Sequence, residues 1–305
     1  MRILLFGVSE FATELLLKLI TSPYDVVGLV FNRTNNFDIQ DLKALSQSRQ
    51  IPYWEIDNLS DNDFIERVKQ LAPDVILVAT FDYRLPKAIY SLAKIAAINL
   101  HPSLLPSYRG YHPYFWPIAN GEKQTGITFH LLDDYFDHGL IIAQAAVDIA
   151  PDDTAGLVIH KQKNLAWQLL APVLAEMAAT GRSPKGRSQP EGNYPKASKI
   201  RPEDLFIDWH WPGQKILDHI RALNPHSPAF TYFRDELAGV YQAVNWLDSA
   251  AGAPGEIVAL TEHGPAVKTG AGTVLLKVLL AGKRYLLAGD DFVNREKILV
   301  GERFL

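Results

Sequence analysis

The feature that most constrains the fold is an alternation of short, continuously apolar segments with segments of helical periodicity. The apolar segments span residues 3–7, 25–31, 75–79, 95–100 and 126–132, and the helical ones span residues 10–20, 38–48, 61–71 and 85–93. Apolar strands that alternate with helices are typical of a parallel sheet covered on both faces. We therefore predict an α/β fold with a Rossmann-like, mostly parallel sheet and helices on both of its faces. Ligands of such sheets bind outside the carboxyl ends of the strands.

The pattern changes after a long helical segment within residues 151–180. Residues 181–202 are rich in Arg, Lys, Ser, Gly and Pro, which is typical of a connector. Beyond it come one helix at residues 213–223 and short alternating strands at residues 229–233, 239–244, 256–259, 266–269 and 274–280. Short strands separated by turns predict a small β-barrel. We expect a catalytic domain over residues 1–185, a linker over 186–204 and an OB-like C-terminal β-barrel over 205–305.

Charge, cysteine content and motif searches exclude several classes of function. Thirty Lys and Arg against 34 Asp and Glu give a net charge of −4. This balance lacks the excess of positive charge that binding to nucleic acid or to an anionic membrane requires. The absence of cysteine excludes disulfides, Cys–zinc sites and thiol nucleophiles. The first turn lacks G-x-G-x-x-G, and the histidines have no common metal-ligand spacing, so we expect neither NAD nor a metal. No apolar run approaches the roughly 18 residues of a membrane span, which predicts a cytoplasmic protein.

Three polar residues lie where two of the predicted strands end. Asn99 and His101 are two residues apart on one strand, so they share a face, and Asp137 follows the strand at residues 126–132. Gly139 allows the chain to turn sharply beside the acid. An amide donor, a base and a carboxylate can transfer an acyl group without a covalent nucleophile. The alternative is a strand-end turn in which backbone hydrogen bonds satisfy His101.

Three motifs around these residues carry a family resemblance, and segments at residues 1–12, 208–209, 220–225, 228–231 and 254–257 extend it. The three motifs are Asn99-Leu-His-Pro-Ser-Leu-Leu-Pro-Ser-Tyr-Arg-Gly110, Asn120-Gly-Glu-Lys-Gln-Thr-Gly126-Ile-Thr and Phe136-Asp-His-Gly139. Together they resemble the formyltransferases that use 10-formyltetrahydrofolate. The resemblance covers nearly the whole chain. It implies that the family's catalytic residues fall on Asn99, His101 and Asp137, and that 10-formyltetrahydrofolate is the formyl donor.

The resemblance also implies two sets of contacts around these catalytic residues. By analogy with the family, the folate lies against Phe81, Asp82, Tyr83, Leu85, Pro86, Leu104, Leu105, Asp133 and Asp134. The acceptor contacts that we expect are Ser9, Glu10, Tyr108, Arg109, Gly110, Tyr111 and Trp116.

The acceptor is predicted from a departure from one branch of the family. Methionyl-tRNA formyltransferases carry a loop rich in Lys and Arg after the second strand. In this chain the corresponding residues 32–38 contain one basic residue, Arg33. Because tRNA binding needs several phosphate contacts, tRNA is disfavoured. Tyr111 and Trp116 suit stacking on a base or sugar ring, although packing of the following helix explains them equally well. The pattern resembles the amino-sugar N-formyltransferases, which predicts a UDP- or dTDP-linked amino sugar as acceptor.

Other functions stay open at this point. A methionyl-tRNA formyltransferase with an unusual loop and a formyltetrahydrofolate hydrolase would both use the same three residues. A non-catalytic folate or nucleotide binding protein belongs to a different class and would not need all three. For the C-terminal domain, a role in packing or in forming a homodimer is at least as well supported as contact with substrate.

Overall fold

The computed structural model describes residues 1–32, 37–246, 251–282 and 285–305. Arg33, the one basic residue of the predicted loop at residues 32–38, lies outside the described residues. The chain divides into two compact units. The first comprises Met1–Pro113, Thr125–Val147 and His160–Lys196, and the second comprises Tyr114–Gln124, Asp148–Ile159 and Ala197–Leu305.

The first part of the chain alternates strands and helices, as the sequence predicts. The strands are β1 (Arg2–Gly7), β2 (Asp25–Asn32), β3 (Tyr53–Ile56), β4 (Val75–Ala79), β5 (Ala96–His101), β6 (Arg109–Gly110), β7 (Gln124–Leu131) and β8 (Ile141–Asp148). The helices are α1 (Glu10–Leu19), α2 (Phe37–Ser48), α3 (Asn62–Leu71), α4 (Lys87–Tyr90), α5 (Trp116–Ala119) and α6 (Ala155–Thr180).

Seven of these strands form one sheet in the order β3-β2-β1-β4-β5-β7-β8. The pairs β1–β2, β2–β3, β1–β4 and β4–β5 are parallel, and β7 runs antiparallel to β5. The predicted mostly parallel sheet is therefore confirmed. Two of its strands, β3 and β8, have no counterpart in the prediction, because Glu55 and Gln144 interrupt their apolar character.

The order of the strands brings three carboxyl ends side by side. Gly7 of β1 pairs with Ala79 of β4, and Ala79 pairs with Leu100 of β5. Every residue of β4 is buried, as expected for a central strand covered on both faces. Ser9 caps α1 by accepting a hydrogen bond from the backbone N–H of Phe11. This edge of the sheet therefore holds the start of α1, the turn after β4 and the end of β5.

The second unit is built on an antiparallel sheet. Its strands follow β9 (Lys196–Ala197) and are β10 (Ala229–Phe233), β11 (Glu236–Trp246), β12 (Ile257–Thr261), β13 (Gly264–Lys268), β14 (Thr273–Ala281) and β15 (Tyr285–Ala288). Their order is β10-β11-β14-β13-β12, and β15 pairs with β14. Helices α7 (Gly213–Leu223) and α8 (Gly289–Glu296) accompany the sheet. The predicted small, barrel-like β-domain is confirmed, whereas β15 and α8 had not been predicted.

No helix among the described residues combines the length and the apolar character that a membrane span requires.

A neutral histidine is buried in the core of the second unit. The ring of His219 on α7 lies 5.3 Å from the ring of Trp211 and 6.0 Å from that of Phe115, centroid to centroid. Its Nε2 is buried without a hydrogen-bond partner. Burial lowers the pKa of His219 to about 4, with Lys215 adding to the effect and the backbone of Leu205 opposing it.

His219 should make the stability of the protein depend on pH. Above about pH 6.5 the residue is neutral in the folded and the unfolded chain. Below that pH His219 becomes protonated in the unfolded chain, whereas in the folded chain it stays neutral until about pH 4. The free energy of unfolding should therefore fall by about 3 kcal/mol between these limits because of this residue alone. Urea unfolding of the full chain at several pH values measures the slope.

The matched variant is His219→Phe, which keeps a ring between Trp211 and Phe115 but cannot titrate. It should lose stability less steeply than the unsubstituted protein as the pH falls from 6.5 to 4. Parallel curves for the two proteins would contradict the assignment, whatever their absolute stabilities.

Candidate active site

Four polar side chains meet where β5 and β7 lie side by side. Asn99 and His101 end β5, and the antiparallel register places His130 of β7 directly opposite Asn99. Asp137 comes back to them from the turn after β7. Its Oδ1 lies 3.4 Å from Asn99 Nδ2, 3.5 Å from His101 Nδ1 and 3.6 Å from His130 Nε2. The three residues predicted from the sequence therefore lie together, with a second histidine beside them.

The hydrogen bonds of His101 fix the form of its neutral ring. Its Nε2 lies 2.8 Å from the carbonyl oxygen of Tyr108. Because a carbonyl only accepts, Nε2 carries the proton and the lone pair is on Nδ1, the atom that faces Asp137. Burial lowers the pKa of His101 below its usual value, and His130 and Arg109 lower it further. The negative charge of Asp137 and the Tyr108 carbonyl oppose this shift without cancelling it.

His130 determines how the amide of Asn99 points. His130 Nδ1 lies 2.9 Å from the carbonyl oxygen of Leu131, so this nitrogen donates and Nε2 has the lone pair. That lone pair accepts a hydrogen bond of 3.0 Å from Asn99 Nδ2. One hydrogen of the Asn99 amide is thereby occupied. The other makes only the long contact of 3.4 Å with Asp137.

Asp137 is a buried carboxylate in an unusual backbone conformation. Its φ is +53°, and its Oδ2 accepts a 2.9 Å hydrogen bond from the N–H of Gly110. Burial opposes the charge of this carboxylate, yet the positive charge that His101 and His130 can carry and the hydrogen bond from the Gly110 N–H hold its pKa below the usual value. The turn also depends on Gly139, where a Cβ would lie 1.8 Å from the Leu131 carbonyl oxygen.

The arrangement can take up one proton and stabilise one developing negative charge. A proton added at His101 Nδ1 would lie between the ring and the Asp137 carboxylate, while Nε2–H stays on the Tyr108 carbonyl. The second amide hydrogen of Asn99 is the donor that a developing oxyanion can use. These are the requirements for acyl transfer to an amine.

Two residues of the site were not found from the sequence. His130 had no signal of its own, because its role depends on the antiparallel register of β7 against β5. Gln189 lies in the predicted linker, yet its amide contacts the carbonyls of Asp137 and Gly139. A polar residue opposite Asn99 could have been found only by pairing these two strands in the correct direction.

The segments predicted to contact folate are held to each other. The hydroxyl of Tyr90 donates to Asp134 Oδ1 at 2.7 Å, and Arg84 donates to the Asp134 carbonyl, which joins residues 81–86 to residues 133–134. Phe81 packs edge-on against Phe6 at 5.5 Å. Of the predicted contacts, Phe81, Leu85 and Leu105 are buried, Pro86, Leu104 and Asp133 are half-buried, and Asp82, Tyr83 and Asp134 are exposed.

The residues predicted to contact the acceptor are divided between the two units. Tyr108, Arg109, Gly110 and Tyr111 border the cluster formed by Asn99, His101, His130 and Asp137, although Tyr108 is itself buried. Ser9 and Glu10 lie at the end of β1, where Ser9 contacts the Thr80 hydroxyl and Glu10 forms an ion pair with Lys163. Trp116 belongs to the second unit and donates to the Ser198 carbonyl at 2.7 Å. Across the described parts of the chain, no cluster of three or more His, Cys, Asp or Glu side chains could hold a metal ion.

Comparison with known proteins relates both parts of the chain to one family. Residues 1–174 match the family model described as formyl transferase, and residues 199–297 match the formyl transferase C-terminal domain. The chain is 34% identical over 313 aligned positions to a methionyl-tRNA formyltransferase of Pelotomaculum thermopropionicum, and the alignment covers 99% of each chain.

Two solved structures share the fold at low sequence identity. An N-formyltransferase from Helicobacter canadensis, in complex with folinic acid and dTDP-3-aminofucose, has a TM-score of 0.68 and 17% identity, covering 90% of this chain and 98% of that one. HypX from Aquifex aeolicus, in complex with tetrahydrofolic acid, has a TM-score of 0.70 and 16% identity, covering 99% of this chain and 48% of that one. The chain thus spans about half the length of HypX.

The tautomers of the two histidines can be measured directly. Long-range 1H–15N correlation spectra above pH 7 should show His101 unprotonated at Nδ1 and His130 unprotonated at Nε2, because their other nitrogens donate to carbonyls. His138 serves as the exposed reference for a ring with its proton on Nδ1, because this nitrogen lies 3.2 Å from Asp133 Oδ2. A neutral His101 with its proton on Nδ1 would contradict the geometry.

Proposed function

The chain belongs to the formyl transferase family, and from this premise we propose that it formylates the primary amine of a small, nucleotide-linked amino sugar. The formyl donor of the family derives from folate, and we assign 10-formyltetrahydrofolate to this chain. The observation that carries the acceptor class is an exposed aromatic pair beside the catalytic cluster. The catalytic residues in the proposal are Asn99, His101 and Asp137.

The proton chemistry follows from the tautomers. The donor supplies an activated formyl carbon, which a neutral amine can attack. His101 Nδ1 takes the proton that the amine loses, and Asp137 Oδ1 at 3.5 Å stabilises the imidazolium formed. The bond between the formyl carbon and the folate nitrogen then breaks, and that nitrogen takes the proton from His101 as tetrahydrofolate leaves. Asn99 turns its second amide hydrogen to the formyl oxygen as negative charge develops there. One such donor contributes about 3 kcal/mol to lowering the barrier.

The hydrogen-bonding groups of the site suit a formyl group carried by folate. A formyl oxygen needs one hydrogen-bond donor, and the amide of Asn99 has one hydrogen on a long contact only. The loops at residues 81–86 and 133–134 offer exposed carboxylates and backbone groups that can pair with the hydrogen-bond donors and acceptors of a pterin ring. Leu104 and Leu105 provide the apolar wall that a flat heterocycle needs. We assign the folate contacts to these two loops and to this leucine pair.

The proposed acceptor approaches across an exposed aromatic pair beside the catalytic cluster. Tyr111 and Phe136 have ring centroids 5.9 Å apart and are 49% and 41% exposed. Tyr111 follows Gly110 and Phe136 precedes Asp137, and these two neighbours are joined by the hydrogen bond from the Gly110 N–H to the carboxylate. A base or sugar ring can stack on such a surface. The proposal therefore places the ring of the acceptor against Tyr111 and Phe136.

A positive charge next to this pair suits a phosphorylated acceptor. The Arg109 guanidinium donates to the neutral side-chain oxygen of Gln189, and among the described residues no carboxylate forms an ion pair with it. Its charge is therefore available to an anion, and guanidinium groups bind phosphate in a bidentate manner. The Helicobacter canadensis enzyme, which was crystallised with dTDP-3-aminofucose, adds support for a nucleotide-linked sugar.

Methionyl-tRNA is the second candidate acceptor, and sequence similarity favours it. A methionyl-tRNA formyltransferase matches 99% of the chain at 34% identity. The charge of the C-terminal part argues against it, because residues 199–305 contain twelve Lys and Arg and thirteen Asp and Glu. Proteins that bind nucleic acid through phosphate contacts carry clusters of basic residues on the binding face.

An acceptor panel tests the proposal. The purified full chain is given 10-formyltetrahydrofolate with UDP-, dTDP- and GDP-linked amino sugars, or with methionyl-tRNA, and tetrahydrofolate release is followed with acceptor formylation. We expect turnover of a nucleotide-linked amino sugar at a rate that changes little between 50 and 200 mM salt, because few phosphates are bound. Tyr111→Ala and Phe136→Ala should each raise the KM for this acceptor roughly tenfold, the usual cost of a lost stacking contact.

The control for these substitutions is Tyr285→Ala, which removes a tyrosine of similar exposure from the second unit. It should leave the KM unchanged. Formylation of methionyl-tRNA alone, with a steep loss at higher salt, would overturn the proposed acceptor in favour of tRNA. Rapid release of formate without any acceptor would instead identify a formyltetrahydrofolate hydrolase.

The pH dependence of turnover should report His101. The residue must be neutral to take a proton, and its lowered pKa places the acid limb of kcat, measured at saturating acceptor, below pH 6.5. In Asp137→Asn, kcat should fall strongly, and the acid limb should move to still lower pH. The reason is that the negative charge of Asp137 raises the pKa of His101. An acid limb that stays in place or moves upward would contradict the assigned base.

A further inference from the structure

The segment at residues 187–195, which follows α6, is bound to both sides of the catalytic cluster. Arg187 exchanges two backbone hydrogen bonds of 2.9 Å with Ile141. The carbonyl of Pro195 accepts a hydrogen bond of 2.6 Å from the N–H of Tyr108. Gln189 lies between these two attachments. The sequence predicts a linker here, whereas in the structure this segment borders the site.

Every hydrogen-bonding group of the Gln189 amide is engaged. Its Nε2 donates to the carbonyl of Asp137 at 2.8 Å and to that of Gly139 at 3.0 Å. Its Oε1 accepts from Arg109 Nε at 2.9 Å and also from Nη2. One side chain thus connects the turn that presents the catalytic carboxylate to the arginine on the other side of the cluster.

We propose that Gln189 is a positioning residue, which fixes the Asp137 turn and the Arg109 guanidinium at the same time. Asp137 has φ of +53°, a conformation that costs free energy for any residue except glycine and persists only when its surroundings hold it. Two hydrogen bonds from one amide to carbonyls on either side of residue 138 provide that restraint. They keep Asp137 Oδ1 near His101.

The chemistry of glutamine suits both tasks, and that of other side chains does not. The two carbonyls of the turn need a donor, whereas the guanidinium needs an acceptor. A carboxylate would bind Arg109 but would also neutralise its charge and could not donate to the turn. An ammonium group would donate to the turn but would repel Arg109. A neutral amide holds the arginine and leaves its charge available to an anionic ligand.

A second strained residue depends on the same segment. Tyr108 has φ of +61°, and its carbonyl is the acceptor that fixes the ring of His101. Its own N–H donates to Pro195. Both non-glycine residues with positive φ that adjoin His101 are therefore held by residues 187–195, which makes this segment part of the apparatus that orients the base.

The test compares Gln189→Met, which loses the donor and the acceptor, with Gln168→Leu as the matched control. Gln168 is exposed on α6 and, within the part of the chain that the structure describes, donates to the carbonyl of Asn164 in its own helix. The titration of the His101 ring is followed by NMR without any acceptor. The charged or titratable groups around that ring are Asp137, His130 and Arg109. When Asp137 is no longer held near it, His101 should titrate at lower pH in Gln189→Met and at the unsubstituted value in the control.

Kinetics provide the second readout. We expect kcat for formyl transfer to fall roughly 10- to 100-fold in Gln189→Met, as for other small displacements of a reacting group. Gln189→Glu keeps a partner for Arg109 but loses the donor to the turn, so its kcat should fall similarly, and its KM for an anionic acceptor should rise. Gln189→Glu also tests the proposal by the same measurements if Gln189→Met does not fold.

An unchanged His101 titration with an unchanged kcat would overturn the proposal, even if the variant melts at a lower temperature. A lower melting temperature alone would indicate a purely structural contact. The inference rests on formyl transfer, but the NMR readout needs no acceptor. Failure of the proposed sugar acceptor would therefore appear in the acceptor panel and leave the His101 titration interpretable.

Discussion

The antiparallel pairing of β7 with β5 is the constraint on which the site depends. A parallel strand would leave its carboxyl end beside that of β5, and the following turn would lead away toward a crossover helix. Because β7 runs the other way, His130 lies opposite Asn99, and the turn after it can bring Asp137 back to the end of β5. The reversal of one strand thus assembles residues that are 38 positions apart in the chain.

The buried charge of Asp137 explains why so many neighbouring groups are fixed. A carboxylate removed from water is stable only with hydrogen bonds and opposite charge around it. Gly110 donates from the backbone, Asn99 from its amide, and His101 offers a ring that can become positive. The same contacts hold the neutral base beside its countercharge. In the proposed mechanism, a proton received by His101 would be stabilised by Asp137, which already lies 3.5 Å from Nδ1.

Much of the fold and part of the site could be predicted, and the division has a physical basis. Strands such as β4, buried on both faces, appear in the sequence as continuous apolar runs, whereas β3 and β8 are interrupted by Glu55 and Gln144. Asn99 and His101 were found because a spacing of two residues fixes their common face. His130 and Gln189 act through partners set by strand direction and by chain folding, which no local pattern encodes.

In the proposed function, the positions of Gly110 and Asp137 connect catalysis to the choice of acceptor. The hydrogen bond between them fixes the Asp137 carboxylate, and the next residues outward, Tyr111 and Phe136, form the exposed aromatic pair. A ring stacked on this pair, as proposed, would be held by the same two backbone segments that hold His101 and Asp137. Displacing either segment would therefore disturb both the acceptor ring and the proposed base. Substituting the outer aromatic residues would change the acceptor preference alone, because the inner contacts that orient His101 and Asp137 do not involve those side chains.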